Sequence, residues 1–316
     1  MSSTNAAASW WSPTRAPAAS CSRRRRPSCS NSSARQEVRP DVSGHATSAP
    51  AERDLDALLE VARRAAAAGG EVVRGAFGRA ARDVSAKGPG DYVSAADMTS
   101  EHAARQVLEE GAPGVPVFGE EEGGSRGRLG WLVDPLDGTA NFLHDFPVVG
   151  VSVGLVEDGI PIVGVVDAPL LGQTWWATAG GGAFHDGRAV RISDRSPATA
   201  ICATGFPFRG KAERFDQYLP VFERVFRSVE DLRRAGAACL DLAWTASGIF
   251  DGFFELKLGP WDVAAGALMV REAGGVVTDW KGDERAWLDS GDIVAGPPQV
   301  HEHLLRCIEA STWGAP

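Results

Sequence analysis

From Trp131 to Ala177 the chain alternates apolar, β-branched runs with short turns. Trp131-Leu132-Val133, Val148 to Val156, Ile160 to Val166 and Thr174 to Ala177 are separated by Asp158-Gly159 and by Pro169 to Gly172. Runs of this kind joined by tight turns form a strand meander, and a sheet with so many apolar positions needs cover from other elements. The flanks supply it. Leu55, Leu58, Leu59 and Ala62 recur at helical spacing and open an Ala-rich helix reaching Phe77, which Gly69-Gly70 is expected to interrupt. A second helix is predicted over Ala96 to Glu109, ended by Gly111-Ala112-Pro113-Gly114. After the meander come turns at Gly180 to Gly182 and Asp186-Gly187, helices near Phe215 to Phe226 and Ala237 to Ser247, a strand at Gly252 to Leu256, and a helix from Val263 to Ala273 closed by Gly274-Gly275. Strand runs with helices before, between and after them predict an α/β or α+β layered fold, with no repeat period.

A chain of 316 residues with 44% apolar content can bury a large core, which excludes disorder throughout and a disulfide-stapled mini-protein. The five cysteines (Cys21, Cys29, Cys202, Cys239, Cys307) are odd in number and never form CxxC, so neither a disulfide framework nor a thiolate zinc site is indicated. A reducing, cytoplasmic setting is the expectation. No run approaches the roughly 18 apolar residues of a membrane span. Residues 1–50 differ in kind, being rich in Ser, Ala, Pro and Arg with no acid before Glu37. They are read as a disordered leader ahead of one domain over 51–316, with a transit peptide (hence an organellar location) or a polyanion-binding stretch at Arg23 to Arg26 as alternatives. The leader carries a net +5, which leaves −14 on the remainder of a chain whose total is −9. A body so acidic repels phosphate backbones and suits cations, so neither nucleic acid nor membrane is an expected partner.

Three acidic segments stand at strand ends or helix starts. Glu120-Glu121-Glu122 follows the apolar Val115 to Phe118 and Gly119; Asp134 and Asp137 bracket Pro135-Leu136 after the Trp131 strand; Asp262 follows Gly259-Pro260-Trp261 where a helix opens. Taken singly they read as a solvated loop, an Asp-Gly turn and a helix N-cap. Taken together they are carboxylates that repel one another unless a cation neutralises them, and hard oxygen donors select Mg²⁺, Ca²⁺ or Mn²⁺. Gly138 and Thr139 add backbone N–H groups at a helix start, a place for phosphate. Metal, phosphate and a hydroxyl suggest hydrolysis.

Gly119-Glu120-Glu121, WLVDPLDGTANF at 131–142 and PWDVAAG at 260–266 resemble the three signatures of the inositol monophosphatase family, in order and spacing, and the likeness extends over 52–310, including RRAGAACLDLAWTASGIFDGFFE at 233–255. The resemblance implies a layered αβαβα sandwich of the inositol monophosphatase/fructose-1,6-bisphosphatase type, a homodimer, and inhibition by lithium. It implies two or three Mg²⁺ ions held by Glu120, Asp134, Asp137, Asp262 and the Leu136 carbonyl. Thr139 paired with Asp97 would activate the attacking water, with Glu120 also in the catalytic set. Gly138 and Thr139 would hold the phosphate, and Ala238 and Glu255 would contact the substrate beside Asp137 and Asp262. Lys87 sits where the family often has a lysine near the metals, and Glu121 where a third, weaker ion is reached. The implied reaction is hydrolysis of inositol 1-phosphate. Histidinol phosphate is the alternative, since Glu255 would suit an amine; bisphosphates and nucleotides fit less well because no basic cluster lies near the signatures, and a non-catalytic scaffold would need a lost ligand.

Other motifs are set aside. Gly150-Val151-Ser152-Val153-Gly154 spells GxSxG but lies in a β-branched run without a following helix, and reads as strand. His301 and His303 read as solvated and without a Cys partner, His144 and His185 lack a base or metal context, and Cys239 reads as a small core residue. The tryptophans read as core, with Trp261 packing the wall of the acidic site.

Overall fold

The computed structural model describes residues 54–79, 84–88, 91–207 and 211–312. The leader, with the readings attached to it, and the side chain of Lys87 lie outside the described residues. Helix α1 (Leu55–Ala76) starts where Asp54 accepts the Ala57 amide at 3.0 Å. It runs unbroken through Gly69-Gly70. Both glycines are buried contact points instead of breakers: a Cβ at Gly69 would lie 2.8 Å from Ser100 Oγ, and one at Gly70 would strike the Asp167 carboxylate. The hairpin β1 (Val84–Gly88) and β2 (Asp91–Ser94) leads into α2 (Ala95–Gly111), capped by Ser94.

The larger sheet comprises β3 (Val117–Gly119), β4 (Gly123–Gly124), β5 (Leu129–Asp137), β6 (Gly150–Glu157), β7 (Ile160–Ala168), β8 (Gln173–Thr178), β9 (Gly182–His185) and β10 (Arg188–Ala189), with the short helix α3 (Thr139–Leu143) between β5 and β6. Its order is β10-β9-β8-β7-β6-β5-β3-β4. The meander is antiparallel, and Gly150 to Gly154 lies within β6. Only β3 runs parallel to β5, with Gly119 opposite Val133. The remaining chain forms β11 (Ile201–Thr204), α4 (Lys211–Phe226), β12 (Asp231–Arg233), α5 (Ala238–Ala246), β13 (Gly252–Glu255), α6 (Pro260–Glu272), β14 (Val276–Thr278), α7 (Trp287–Ser290), β15 (Ile293–Gly296) and α8 (Pro298–Thr312). Its sheet is ordered β12-β11-β13-β15-β14.

The layers follow from which faces are apolar. Helices α1 and α2 cover one face of the larger sheet, α5 and α6 fill the space between the sheets, and α4 and α8 cover the far face of the smaller one, an αβαβα stack. Helix α6 is buried almost all round from Asp262 to Val270, as a helix between two sheets must be. His301 is buried, contrary to the solvated reading, because it shares with Leu304 and Ile308 the face of α8 turned to the smaller sheet. Its Nε2 meets the Thr278 hydroxyl at 2.9 Å, and burial lowers its pKa. His303 does have a cysteine neighbour one turn on, Cys307, at 3.6 Å, and both face Ser228. His185 stacks on Trp175 with ring centroids 4.2 Å apart. No described helix is long and apolar enough to cross a membrane.

Candidate active site

The parallel pairing of β3 with β5 brings the first two acidic segments together. With Gly119 opposite Val133, the next residues along are Glu120 and Asp134, and the Glu120 amide donates to the Val133 carbonyl at 3.1 Å. The third arrives on α6. Asp262 is not the N-cap of that helix: Gly259 is, and Asp262 stands three residues in, where its Oδ2 accepts the Gly259 amide at 2.6 Å. Pro260 at the first helical position, whose missing N–H is no loss there, moves the helix start two residues ahead of the Asp. Ser152, opposite Asp134 on β6, donates its hydroxyl to the Trp261 carbonyl at 2.9 Å and ties this end of α6 to the sheet. Carboxylate oxygens of Glu120, Asp134 and Asp262 thereby all fall within 4.8 Å of one another. Asp137 lines the same pocket but stands outside this cluster; its Oδ2 accepts the Cys239 amide at the start of α5, at 2.6 Å.

Between Asp134 and Thr139 the chain turns sharply. Asp134 Oδ1 accepts the Leu136 amide at 3.0 Å, and Ser100 donates to the Pro135 carbonyl at 2.8 Å. Gly138 has φ +95°, and a Cβ there would lie 2.9 Å from the Val148 carbonyl, so glycine is required on both counts. Thr139 then begins α3. Its Oγ1 donates toward Asp97 Oδ1 at 3.0 Å and the Leu136 carbonyl at 3.1 Å. Asp97, in the first turn of α2, accepts both the amide (2.8 Å) and the hydroxyl (2.6 Å) of Ser94 on its other oxygen. Asn141 fastens this turn across the site, donating to Val148 at 2.7 Å and to Ala235 at 2.9 Å.

Glu120, Asp134, Asp137, Asp262 and Thr139 open on one pocket of about 150 Å³. Gly138, Thr139, Ala238 and Glu255 line it alongside the acids. Gly205 is there because a Cβ would strike the Glu255 carboxylate. Two cations join the lining, Arg234 and Lys257, which corrects the reading that no basic residues gather near the signatures. For Arg234 the signal is local, a pair of arginines in the Arg233-Arg234-Ala235-Gly236 stretch. Lys257 reaches the pocket through a backbone at φ +63°, which no local pattern announces. Glu122 is drawn away from the pocket by Arg105, 3.1 Å from its carboxylate. Trp261 packs on Phe118 with ring centroids 5.6 Å apart, and neither ring lines the pocket.

Burial raises the Asp134 pKa well above its usual value, and Glu120, Asp137 and Asp262 raise it further. Burial also raises Asp97, partly offset by its hydrogen bonds from Ser94 and Thr139. The nearby Cys239 thiol is pushed well up by burial and by Asp137, and it neither lines the pocket nor joins the cluster of three acids. What remains is an all-oxygen donor set with excess negative charge, which fits a hard divalent cation such as Mg²⁺. Because its pKa is higher folded than unfolded, Asp134 favours the fold at acid pH, and that contribution is lost as pH rises through the folded value. Mg²⁺ is therefore expected to raise the melting temperature more at about pH 8 than at about pH 5. Thermal melts with Mg²⁺ or chelator check this, and an equal shift at both values would contradict it.

The model of the inositol monophosphatase family matches residues 54–312. A relative from Aquifex aeolicus (strain VF5), named fructose-1,6-bisphosphatase/inositol-1-monophosphatase, is 40% identical over 257 residues, covering 80% of this chain and 96% of its own. A putative Nus factor SuhB from Neisseria meningitidis serogroup B is also 40% identical, over 261 residues, covering 81% of this chain and 98% of its own. Among solved structures, the extragenic suppressor protein suhB of Bartonella henselae is similar with a TM-score of 0.76 at 37% identity, over 80% of this chain and 98% of that one. With the acidic signatures standing in this fold and the match running nearly the length of the described domain, the chain belongs to the inositol monophosphatase family.

Proposed function

We propose that the chain is a Mg²⁺-dependent phosphate monoester hydrolase whose preferred substrate is inositol 1-phosphate. The observation that carries this is the meeting of Glu120, Asp134 and Asp262 within 4.8 Å, in a pocket also lined by Thr139, whose hydroxyl donates to Asp97. Glu120, Asp134 and Asp262 hold the cation, with Asp137 and the Leu136 carbonyl completing a second position. Bound there, Mg²⁺ supplies Lewis acidity toward phosphate and water. The chain's own residues do the rest. Thr139 gives its proton to Asp97 and turns a lone pair toward a water in the pocket. The proton of that water passes to Thr139 Oγ1 as the original hydroxyl proton moves to Asp97, whose raised affinity for a proton suits the task. The Gly138 and Thr139 amides orient the phosphate, while Glu255 accepts from substrate hydroxyls and Ala238 keeps that wall small. Glu121 is left for a weaker, outer ion. In this reading the working unit is a cytoplasmic homodimer inhibited by lithium; the described cysteines, Cys202, Cys239 and Cys307, are free and buried, in keeping with a reducing compartment.

A second reading keeps the residues and changes the substrate. Arg234 and Lys257 beside the pocket favour a second anionic group, and so support a bisphosphate. Phosphate release with and without Mg²⁺ from inositol 1-phosphate, histidinol phosphate, fructose 1,6-bisphosphate and 3′-phosphoadenosine 5′-phosphate decides the matter. The expected ranking by kcat/KM places inositol 1-phosphate first. A preference for fructose 1,6-bisphosphate would promote the second reading, and absence of Mg²⁺-dependent release from all four would remove both.

A further inference from the structure

Helix α2 turns two side chains onto the hairpin that carries Glu120, and neither belongs to the chemistry above. Glu101 and Arg105 stand one helical turn apart, with Arg105 Nη2 donating to Glu101 Oε1 at 2.9 Å. Glu101 is fully buried. Its Oε2 accepts the Glu121 amide at 2.8 Å and its Oε1 the Glu122 amide at 3.1 Å, the two residues that follow Glu120. Arg105 grips the strands on either side: Nη1 donates to Val117 of β3 at 3.2 Å and Nη2 to Gly123 of β4 at 3.0 Å, while Nε is paired with the Glu122 carboxylate. A Cβ at Gly119 would fall on the Glu101 carboxylate, so glycine at this place in the signature is what admits the buried acid.

The hairpin has reason to need fastening. Strand β3 is anchored to β5, but β4 is two residues long and pairs with β3 alone at the sheet edge, so ladder bonds do little to hold the turn that follows Glu120. Glu120 faces two further carboxylates, a repulsion that drives it outward whenever no cation is present. A buried carboxylate is itself expensive unless its partners satisfy it. Glu101 is satisfied by Arg105 and by the two amides of this turn, so the ion pair and the turn geometry support each other.

We propose that Glu101, braced by Arg105, is a positioning residue that holds Glu120 in place for the cation, so that Mg²⁺ affinity depends on a side chain touching neither cation nor substrate. The inference rests on the Mg²⁺ reading above. Its test uses the full chain and the variants Glu101→Gln, Arg105→Lys and Gly119→Ala. Gln offers one oxygen where two are used, Lys lacks the fork that spans two carbonyls, and the alanine methyl displaces Glu101. In metal-free protein, hydrogen exchange at the Glu121 and Glu122 amides is expected to accelerate at least about tenfold. Calorimetric titration is expected to show Mg²⁺ binding weakened roughly 10- to 100-fold, with kcat recovering at saturating Mg²⁺. Unchanged Mg²⁺ affinity in a folded Glu101→Gln protein would overturn the proposal, as would kcat lost at every Mg²⁺ concentration while binding stays the same. Should Glu101→Gln fail to fold, Arg105→Lys carries the same two outcomes. If the unmodified chain takes up no Mg²⁺, the functional reading fails along with the coupling, whereas wild-type exchange in the variants removes the clamp alone.

Discussion

Asp134→Asn is expected to lower kcat by roughly a thousandfold or more, about 4 kcal/mol of barrier, and yet to melt at a higher temperature than the unmodified chain in metal-free buffer near neutral pH. Both effects come from one carboxylate. Asp134 is buried among Glu120, Asp137 and Asp262, each of which raises its pKa. Asn keeps the shape and can still accept the Leu136 amide now taken by Asp134 Oδ1, so the turn is retained. What is lost is one charge of the set that draws the cation and, with it, Mg²⁺-dependent turnover. What is gained is relief from repulsion, which in a domain this size is expected to raise the melting temperature by about 2 °C or more. The gain grows with pH, since the unmodified Asp134 must ionise against its neighbours, and the stabilisation by Mg²⁺ seen with the unmodified chain should shrink. Turnover within tenfold of the unmodified enzyme would remove Asp134 from the cation site. A fall in metal-free melting temperature would show that the cluster is held by hydrogen bonds and not strained by charge.

The contrast between these acids and their neighbours shows what the sequence makes legible. Asp134, Asp137 and Thr139 sit within six residues, so one turn places them all, and the local pattern is enough. The meander is equally local, and its strands from Ile160 to Ala168 and Gln173 to Thr178 extend the runs read from the sequence by only a residue or two. The meeting of Glu120 with Asp134 is different. It depends on a parallel pairing whose register is set by packing, not by a turn. Gly69-Gly70 reads as a break because glycine is a poor helix former, yet the deciding fact is how closely Asp167 and Ser100 approach from other elements. Long-range proximity also hides Lys257 from any reading by segment. The His303–Cys307 spacing of four, by contrast, is legible on paper as one helix face; only its meeting with Ser228, in the turn after α4, needs the fold.

Thr139→Ala is expected to reduce kcat by roughly 10²- to 10⁴-fold, the usual worth of a positioned proton acceptor, while leaving Mg²⁺ affinity within about threefold. The separation follows from geometry. The Thr139 hydroxyl has one proton and two acceptors, Asp97 Oδ1 at 3.0 Å and the Leu136 carbonyl at 3.1 Å. Its donor capacity is therefore used inside the protein, and only lone pairs are left to face the pocket. Removing it takes away a proton acceptor without touching Glu120, Asp134 or Asp262. Thr139→Ser keeps the hydroxyl and should retain most activity. Asp97→Asn leaves the hydroxyl in place but cannot take up its proton, and it also weakens the α2 cap formed with Ser94, so its stability needs separate measurement. If the two residues act as one unit, the double variant Asp97→Asn/Thr139→Ala should be little worse than Thr139→Ala alone. Additive losses would mean that Asp97 serves only to cap its helix. A Thr139→Ala enzyme with near-normal kcat would mean that the water is activated elsewhere in the pocket, leaving the hydroxyl a structural tie between α3 and α2.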